Sequence, residues 1–331
     1  MEQRKADHID MALQAQMDLN IHDSRFHYEP LLRPHPKAEL TPFKFLGKQL
    51  RVPIWVSSMT GGTSSAREIN TNLARACREF GMGMGLGSCR VLLESDDHLA
   101  DFALRDVIGD DQPLYANLGI SQVEKLIHSN QVIKIHNLVS KLRADGLIIH
   151  VNPLQEWFQP EGDHLQHPPL DTIKRFLYQS KYPVIIKEVG QGIGPASLRE
   201  LFRLPLAAIE FAACGGTNFV RVELIRNSIK MQQEFESFSR IGESAADMVN
   251  YVNEIMLTEK NPGSREIIIS GGIRSFLDGY YLIKKLKVPA IYGQASGFLV
   301  HARQGYEQLR SHVESQVHGL KLAFAYLTIK S

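Results

Sequence analysis

Gly271-Gly272-Ile273-Arg274 and Gly293-Gln294-Ala295-Ser296-Gly297 are two glycine-rich turns, each at the end of a short apolar run. Backbone without a Cβ can approach an anion closely, its N–H groups can point at phosphate oxygens, and Arg274 can add a charge-assisted contact. The chemistry these turns offer is phosphate binding; the plain alternative is that their glycines only make turns. Lys187 closes another apolar run. An ammonium there is costly to bury unless it faces a carboxylate or the electron-rich edge of a cofactor such as a flavin, and both readings are open. Gln155-Glu156 follows a further run. One carboxylate together with substrate phosphate oxygens is a usual way to hold Mg2+, whereas a lone loop Glu is otherwise a solvated charge. Arg4, Lys5 and His8 share a face if their segment is helical. Three potential cations there could clamp a diphosphate, and a solvated terminal helix explains them equally.

Other patterns carry less. Gly81, Gly83, Gly85 and Gly87 alternate strictly but match neither frame of the dinucleotide fingerprint, and there is no Walker sequence. In a strand they leave one face bare, either for tight packing inside a barrel or for clearance beneath a flat ring. His164 and His167 have i,i+3 spacing but lie in a Pro-rich loop with no third ligand nearby in sequence, so they are not expected to hold a metal. Three cysteines, Cys77, Cys89 and Cys214, are too few and too widely spaced for a disulfide framework or a Cys-based zinc site.

The elements that must position these groups repeat along the chain. Apolar runs at 52–58, 83–87, 114–118, 146–151, 184–188, 208–212, 267–271 and 290–293 are mostly separated by the length of a strand-helix-strand unit. Several lack polar alternation, as strands buried on both faces do. Eight such units predict a closed (β/α)8 TIM barrel, with a doubly wound sheet plus a small second domain as the alternative. Every candidate cluster between residues 57 and 297 then falls after a strand, at the end where barrel enzymes build their sites. The expected division is one domain over 1–331: an N-terminal extension at 1–50, the barrel at 51–300 and a C-terminal helix at 301–331. Within the long connection at 213–266, apolar spacing predicts a helix over 239–258.

Composition limits the function. With 37 Lys and Arg against 36 Asp and Glu the net charge is +1, which leaves no electrostatic footprint for general nucleic-acid binding but permits a local cationic pocket. No apolar run approaches the ~20 residues of a membrane span, and the first residues do not form a signal-peptide core. A cytoplasmic protein with no nucleic-acid or membrane partner is expected, assembled as a homo-oligomer.

In order along the chain, several stretches resemble the type 2 isopentenyl-diphosphate delta-isomerases, a family of FMN-dependent barrels. They are Arg4-Lys5-Ala6-Asp7-His8-Ile9, Met59-Thr60-Gly61-Gly62, Gly87-Ser88 with Arg90, Asn117-Leu118-Gly119, Asn152 with Gln155-Glu156 and Gln159-Pro160-Glu161-Gly162, Lys187-Glu188-Val189-Gly190, Gly215-Gly216-Thr217 and Gly271-Gly272-Ile273-Arg274. Two stretches depart from the family: Asn218-Phe219 stands in place of Ser-Trp, and Ile241-Gly242-Glu243-Ser244 in place of a Trp-Gly-Ile-Pro-Thr stretch. The resemblance implies that Arg4, Lys5, His8 and Asn152 bind substrate, that Gln155 contacts it at the catalytic centre, and that Glu156 binds Mg2+. It implies that Met59, Thr60, Gly61, Ser88, Asn117, Lys187 and Thr217 surround the flavin ring and ribityl chain. Gly272, Arg274, Ala295 and Ser296 would lie at its phosphate end. The implied reaction interconverts isopentenyl diphosphate and dimethylallyl diphosphate in isoprenoid biosynthesis. Reduced FMN would be acid and base, and NAD(P)H would serve only to reduce it. The rivals are an FMN oxidoreductase of a 2-hydroxy acid or a nucleotide, and a non-catalytic flavin-binding protein.

Overall fold

The computed structural model describes residues 2–36, 39–58, 60–63, 65–259, 262–263 and 266–330. Eight parallel strands close a barrel: β1 (Ile54–Val56), β2 (Gly83–Gly85), β3 (Leu114–Gly119), β4 (Gly146–His150), β5 (Val184–Lys187), β6 (Ala208–Glu210), β7 (Ile267–Ser270) and β8 (Ala290–Gln294). They pair in sequence order, and β8 returns to β1 through Tyr292–Ile54 and Gln294–Val56. Each expected run overlaps one of these strands, with β3 and β8 each extending one residue past the run. Burial is nearly complete because helices cover the outer face, so the strands are built mostly from Val, Ile, Leu and small residues.

Inside the barrel, Trp55 and Tyr115 meet edge to face, with ring centroids 6.2 Å apart, and pack with Ile148, Ile185, Ile268 and Ile291. The alternating glycines make room for this layer. A Cβ on Gly83 would lie 2.4 Å from the Trp55 ring, and one on Gly85 would lie 2.6 Å from Ile148 Cδ1. Of the two readings of these glycines, tight packing is the one observed. A hairpin of Phe43–Phe45 and Lys48–Leu50 plugs the N-terminal end, burying Phe45 and Leu50 against the same layer.

The long connection after β6 differs from expectation. Its main helix runs Ala245–Thr258 and not from residue 239. Ser244 is the cap: its backbone is extended and its side chain accepts from Asp247 N, so the helix starts there whatever the upstream apolar spacing. Upstream lie helices Phe219–Arg226 and Ile229–Phe235 and a 3-10 turn at Glu236–Arg240. Within the span 301–331, a helix runs Tyr306–Tyr326 and is followed by a strand, Leu327–Ile329, that pairs antiparallel with Phe26–Tyr28 of the N-terminal extension. No helix among the described residues is long and apolar enough to cross a membrane.

Candidate active site

The loops after β5, β6, β7 and β8 surround a cavity of about 380 Å3 at the C-terminal mouth of the barrel. It gathers six of the residues expected from sequence: Lys187, Thr217, Gly272, Arg274, Ala295 and Ser296. Gly271 and Gly272 contribute bare backbone to its floor. A Cβ on Gly271 would lie 2.1 Å from Ala213 O, and Gly271 and Gly272 take φ of 91° and 71°, which L side chains rarely adopt. The Arg274 side chain is exposed and makes no hydrogen bond or ion pair to a described residue, while its backbone N–H donates to Asp278.

Lys187 is 8% exposed, and its Nζ donates only to the backbone oxygen of Glu188, at 2.7 Å. Glu210 is its register partner across β5 and β6, yet the two form no ion pair. The Glu210 carboxylate is fully buried; Oε1 accepts from Ser57 Oγ at 2.6 Å and Ser270 Oγ at 3.1 Å, and Oε2 has no partner. Three more polar atoms of the cavity residues are buried and unpartnered: Ser58 Oγ, Gln294 Oε1 and His312 Nε2. His312 comes from the C-terminal helix. Burial, with stacked His301 adding to it, pushes its imidazole down to about 4. Sequence reasoning missed Glu210 and His312.

At the end of β4, His150 is half-buried. Burial, reinforced by the Lys187 ammonium, pushes it down to about 3, so the ring is neutral. Asn117 on β3 donates through Nδ2 to Leu86 O at 3.0 Å, which turns its Oδ1 toward His150 Nδ1 at 2.8 Å. His150 was also not among the residues singled out from sequence. Its signal was a titratable side chain at the exit of a buried strand.

The next turn begins helix Pro153–Phe158 and forms a polar cluster. Asn152 Nδ2 donates to Gln155 Oε1 at 3.0 Å and to Glu156 Oε1 at 3.2 Å, and Asn152 Oδ1 is buried without a partner. Gln155 Nε2 donates to Glu223 at 3.0 Å. Glu156 is 5% exposed and not a solvated charge; it also accepts from Ser121 Oγ and from Asp163 N. Three donors leave one of the roughly four lone-pair positions of a carboxylate for another partner. That position and the unpartnered Asn152 Oδ1 are both hard oxygen donors, the kind that suits Mg2+.

Other expected residues stand apart from the cavity. Thr60, Gly61, Ser88 and Asn117 follow or end β1, β2 and β3 at the same barrel end but do not line it. A Cβ on Gly61 would overlap Phe102, so packing accounts for that glycine. Met59 lies outside the described residues. Arg4, Lys5 and His8 do lie on a helix, Glu2–Met11, but none of its residues is buried and none lines the cavity.

Relatives from Rickettsia felis, Rickettsia peacockii and Rickettsia typhi, each named isopentenyl-diphosphate delta-isomerase, are 35%, 34% and 32% identical to this chain. Each match covers 97% of the chain and 91–92% of the relative. The chain belongs to the isopentenyl-diphosphate delta-isomerase family. No family model matches it. Among solved structures it is similar to a flavocytochrome b2 with sulfite bound (TM-score 0.62, 13% identity, 91% of this chain and 71% of that one). It is also similar to a mandelate oxidase (TM-score 0.54, 14% identity, 93% and 88%). At such identities the likeness is one of fold, and the fold is the expected TIM barrel. Among isopentenyl-diphosphate delta-isomerase motifs, the departure at Asn218-Phe219 has a local role. Asn218 accepts from Arg221 N to cap helix Phe219–Arg226 and donates to Ser239 O, while Phe219 joins the cavity wall.

Proposed function

We propose that the protein interconverts isopentenyl diphosphate and dimethylallyl diphosphate in isoprenoid biosynthesis, with FMN in the barrel cavity. The observation that carries the reading is Lys187: a buried ammonium that hydrogen-bonds only a backbone carbonyl and forms no ion pair with a described residue, at the mouth of a barrel in this isomerase family. Such a group calls for an electron-rich partner. The glycine floor, Arg274 and the unpartnered His312 Nε2 fit a phosphate; Gln294 Oε1 and Ser58 Oγ fit polar edges of a flavin. Reduced FMN bound there would supply the proton donor and acceptor that an isolated alkene, a very weak base, requires.

The chain's own residues do the rest. Lys187 would face the electron-rich side of the ring, with Thr217 beside it; Thr60, Gly61, Ser88 and Asn117, at the same barrel end, would reach the ring and ribityl chain, a role the family resemblance also gives Met59. Gly272, Arg274, Ala295, Ser296 and His312 hold the phosphate end. Gln155 and Asn152 position the substrate, Glu156 with Asn152 holds Mg2+ against its diphosphate, and neutral His150 keeps a second positive charge from building up beside Lys187. Arg4, Lys5 and His8 contact the diphosphate from the N-terminal helix. NAD(P)H would serve only to reduce a flavin bound there.

The test is an anaerobic assay of the purified protein with FMN, Mg2+, isopentenyl diphosphate and NAD(P)H, preceded by an absorption spectrum. Dimethylallyl diphosphate should form with many turnovers per NAD(P)H oxidised. One NAD(P)H per product would instead support an FMN oxidoreductase. A flavin spectrum with no product would leave a flavin-binding protein, and absence of flavin binding would end the reading.

A further inference from the structure

Outside the barrel mouth, Glu124, His128 and His167 each offer a ligand atom within 4.8 Å of the others. We infer that they form a site for a borderline divalent cation of the Zn2+ class, which clips the loop after β4 to helix Ile120–His128. The inference is independent of the isomerase reading.

Glu124 and His128 are i,i+4 on that helix and so share a face. His167 arrives from the Pro-rich loop and is held before any ion binds. Glu124 accepts from Gln166 N at 3.1 Å, from His167 N at 2.9 Å and from the His167 ring, whose Nδ1 lies 3.0 Å from Oε1. The His128 ring sits edge-on to that of His167, with centroids 4.8 Å apart. Glu124 is 5% exposed while both imidazoles reach solvent, so an ion has an entry path and a buried anionic base. In a tetrahedral site with bonds of about 2.0–2.1 Å, ligand atoms are about 3.3 Å apart. Closing the remaining gap takes a rotation of the exposed imidazoles. The ion would replace the proton between His167 Nδ1 and Glu124 Oε1, which passes to the outer ring nitrogen, and water would fill the fourth position. Two imidazoles and one carboxylate favour Zn2+ over Mg2+. His164 takes no part: its ring packs on Trp157, at 4.8 Å between centroids. The sequence-based exclusion of His164 and His167 as a pair misses this set because its other members lie about 40 positions upstream.

The consequence is mechanical. The same loop is already tied to the same helix by Lys125 and Asp163, at 2.5 Å, and Asp163 N also bonds Glu156. An ion at His167 would add a second tie beside the Gln155-Glu156 cluster.

The test uses the full chain, stripped with chelator, with neither flavin nor substrate, titrated with ZnCl2 by calorimetry in parallel with His128→Asn and His167→Asn. One Zn2+ should bind at low micromolar concentration and raise the thermal midpoint, with affinity falling at least tenfold in each variant. Saturating Mg2+ should not compete. Unchanged affinity in both variants, or no saturable binding by about 100 µM, would overturn the site while leaving the isomerase assay untouched.

Discussion

His150 Nδ1 lies 2.8 Å from Asn117 Oδ1, and the contact determines which ring nitrogen is free. Asn117 cannot turn its amide around without losing Leu86 O, so its oxygen must accept the His150 N–H. Nε2 is therefore left with its lone pair, on a ring held neutral beside an ammonium. The tautomer follows from one amide on the neighbouring strand.

That pair gives a pH prediction. His150 is pushed to about 3 and His312 to about 4, both below the ~6.5 of an exposed imidazole. A depressed histidine binds fewer protons folded than unfolded, so stability is full above about pH 6.5 and falls as pH drops toward 3. Urea unfolding between pH 7 and 4.5 should show this slope, and His150→Gln should reduce it by close to one proton. An unchanged slope would mean that His150 titrates normally in the fold.

Replacing Lys187 by Met should have opposite effects on two measurements. Removing a buried, unpaired ammonium should raise the thermal midpoint of the flavin-free protein. FMN affinity should fall at least tenfold, about 1.4 kcal/mol, by fluorescence titration. If FMN binds equally well, the ammonium does not face the cofactor.

Glu156→Gln keeps the size of the side chain and removes its charge. Mg2+-dependent kcat/KM should fall at least tenfold while FMN still binds, a loss of about 1.4 kcal/mol or more in transition-state stabilisation. An unaltered Mg2+ titration would reduce Glu156 to an anchor for Asp163 N and Ser121.

Gly83→Ala places a methyl group 2.4 Å from a Trp55 ring carbon in a layer with no slack. Overpacking of this kind costs about 1–3 kcal/mol. The urea midpoint should drop accordingly, and Gly83→Ala with Trp55→Leu should recover part of it. A neutral single variant would show that the inner layer can relax.

Arg4→Gln with Lys5→Gln should raise KM for isopentenyl diphosphate without altering FMN affinity, because helix Glu2–Met11 buries none of its residues. Equal KM in the variant and the parent would make that helix a solvated terminus.

The barrel was readable because a parallel strand covered on both faces must be apolar throughout, and eight such runs stand out from polar surroundings. The same reasoning singled out Lys187, a charge ending one of them. Glu210 sits inside the sixth run and carried the same signal, but a carboxylate held by one serine on β7 and another just after β1 has no mark in local sequence. His312 was beyond reach. It meets the cavity only because helix Tyr306–Tyr326 packs back beside the last barrel loop, a tertiary fact with no local pattern. The helix over 239–258 began too early because Ile241 falls in phase with the apolar stripe, whereas the cap at Ser244 sets the start.

Tyr28 pairs with Leu327, about 300 positions further along the chain. On a ribosome adding roughly 5–20 residues per second, the early strand waits on the order of 15–60 s for its partner. Until then the segment bearing Arg4, Lys5 and His8 has no anchor through this sheet on the rest of the molecule. A strand made about 300 residues later is thus the one that moors Phe26–Tyr28.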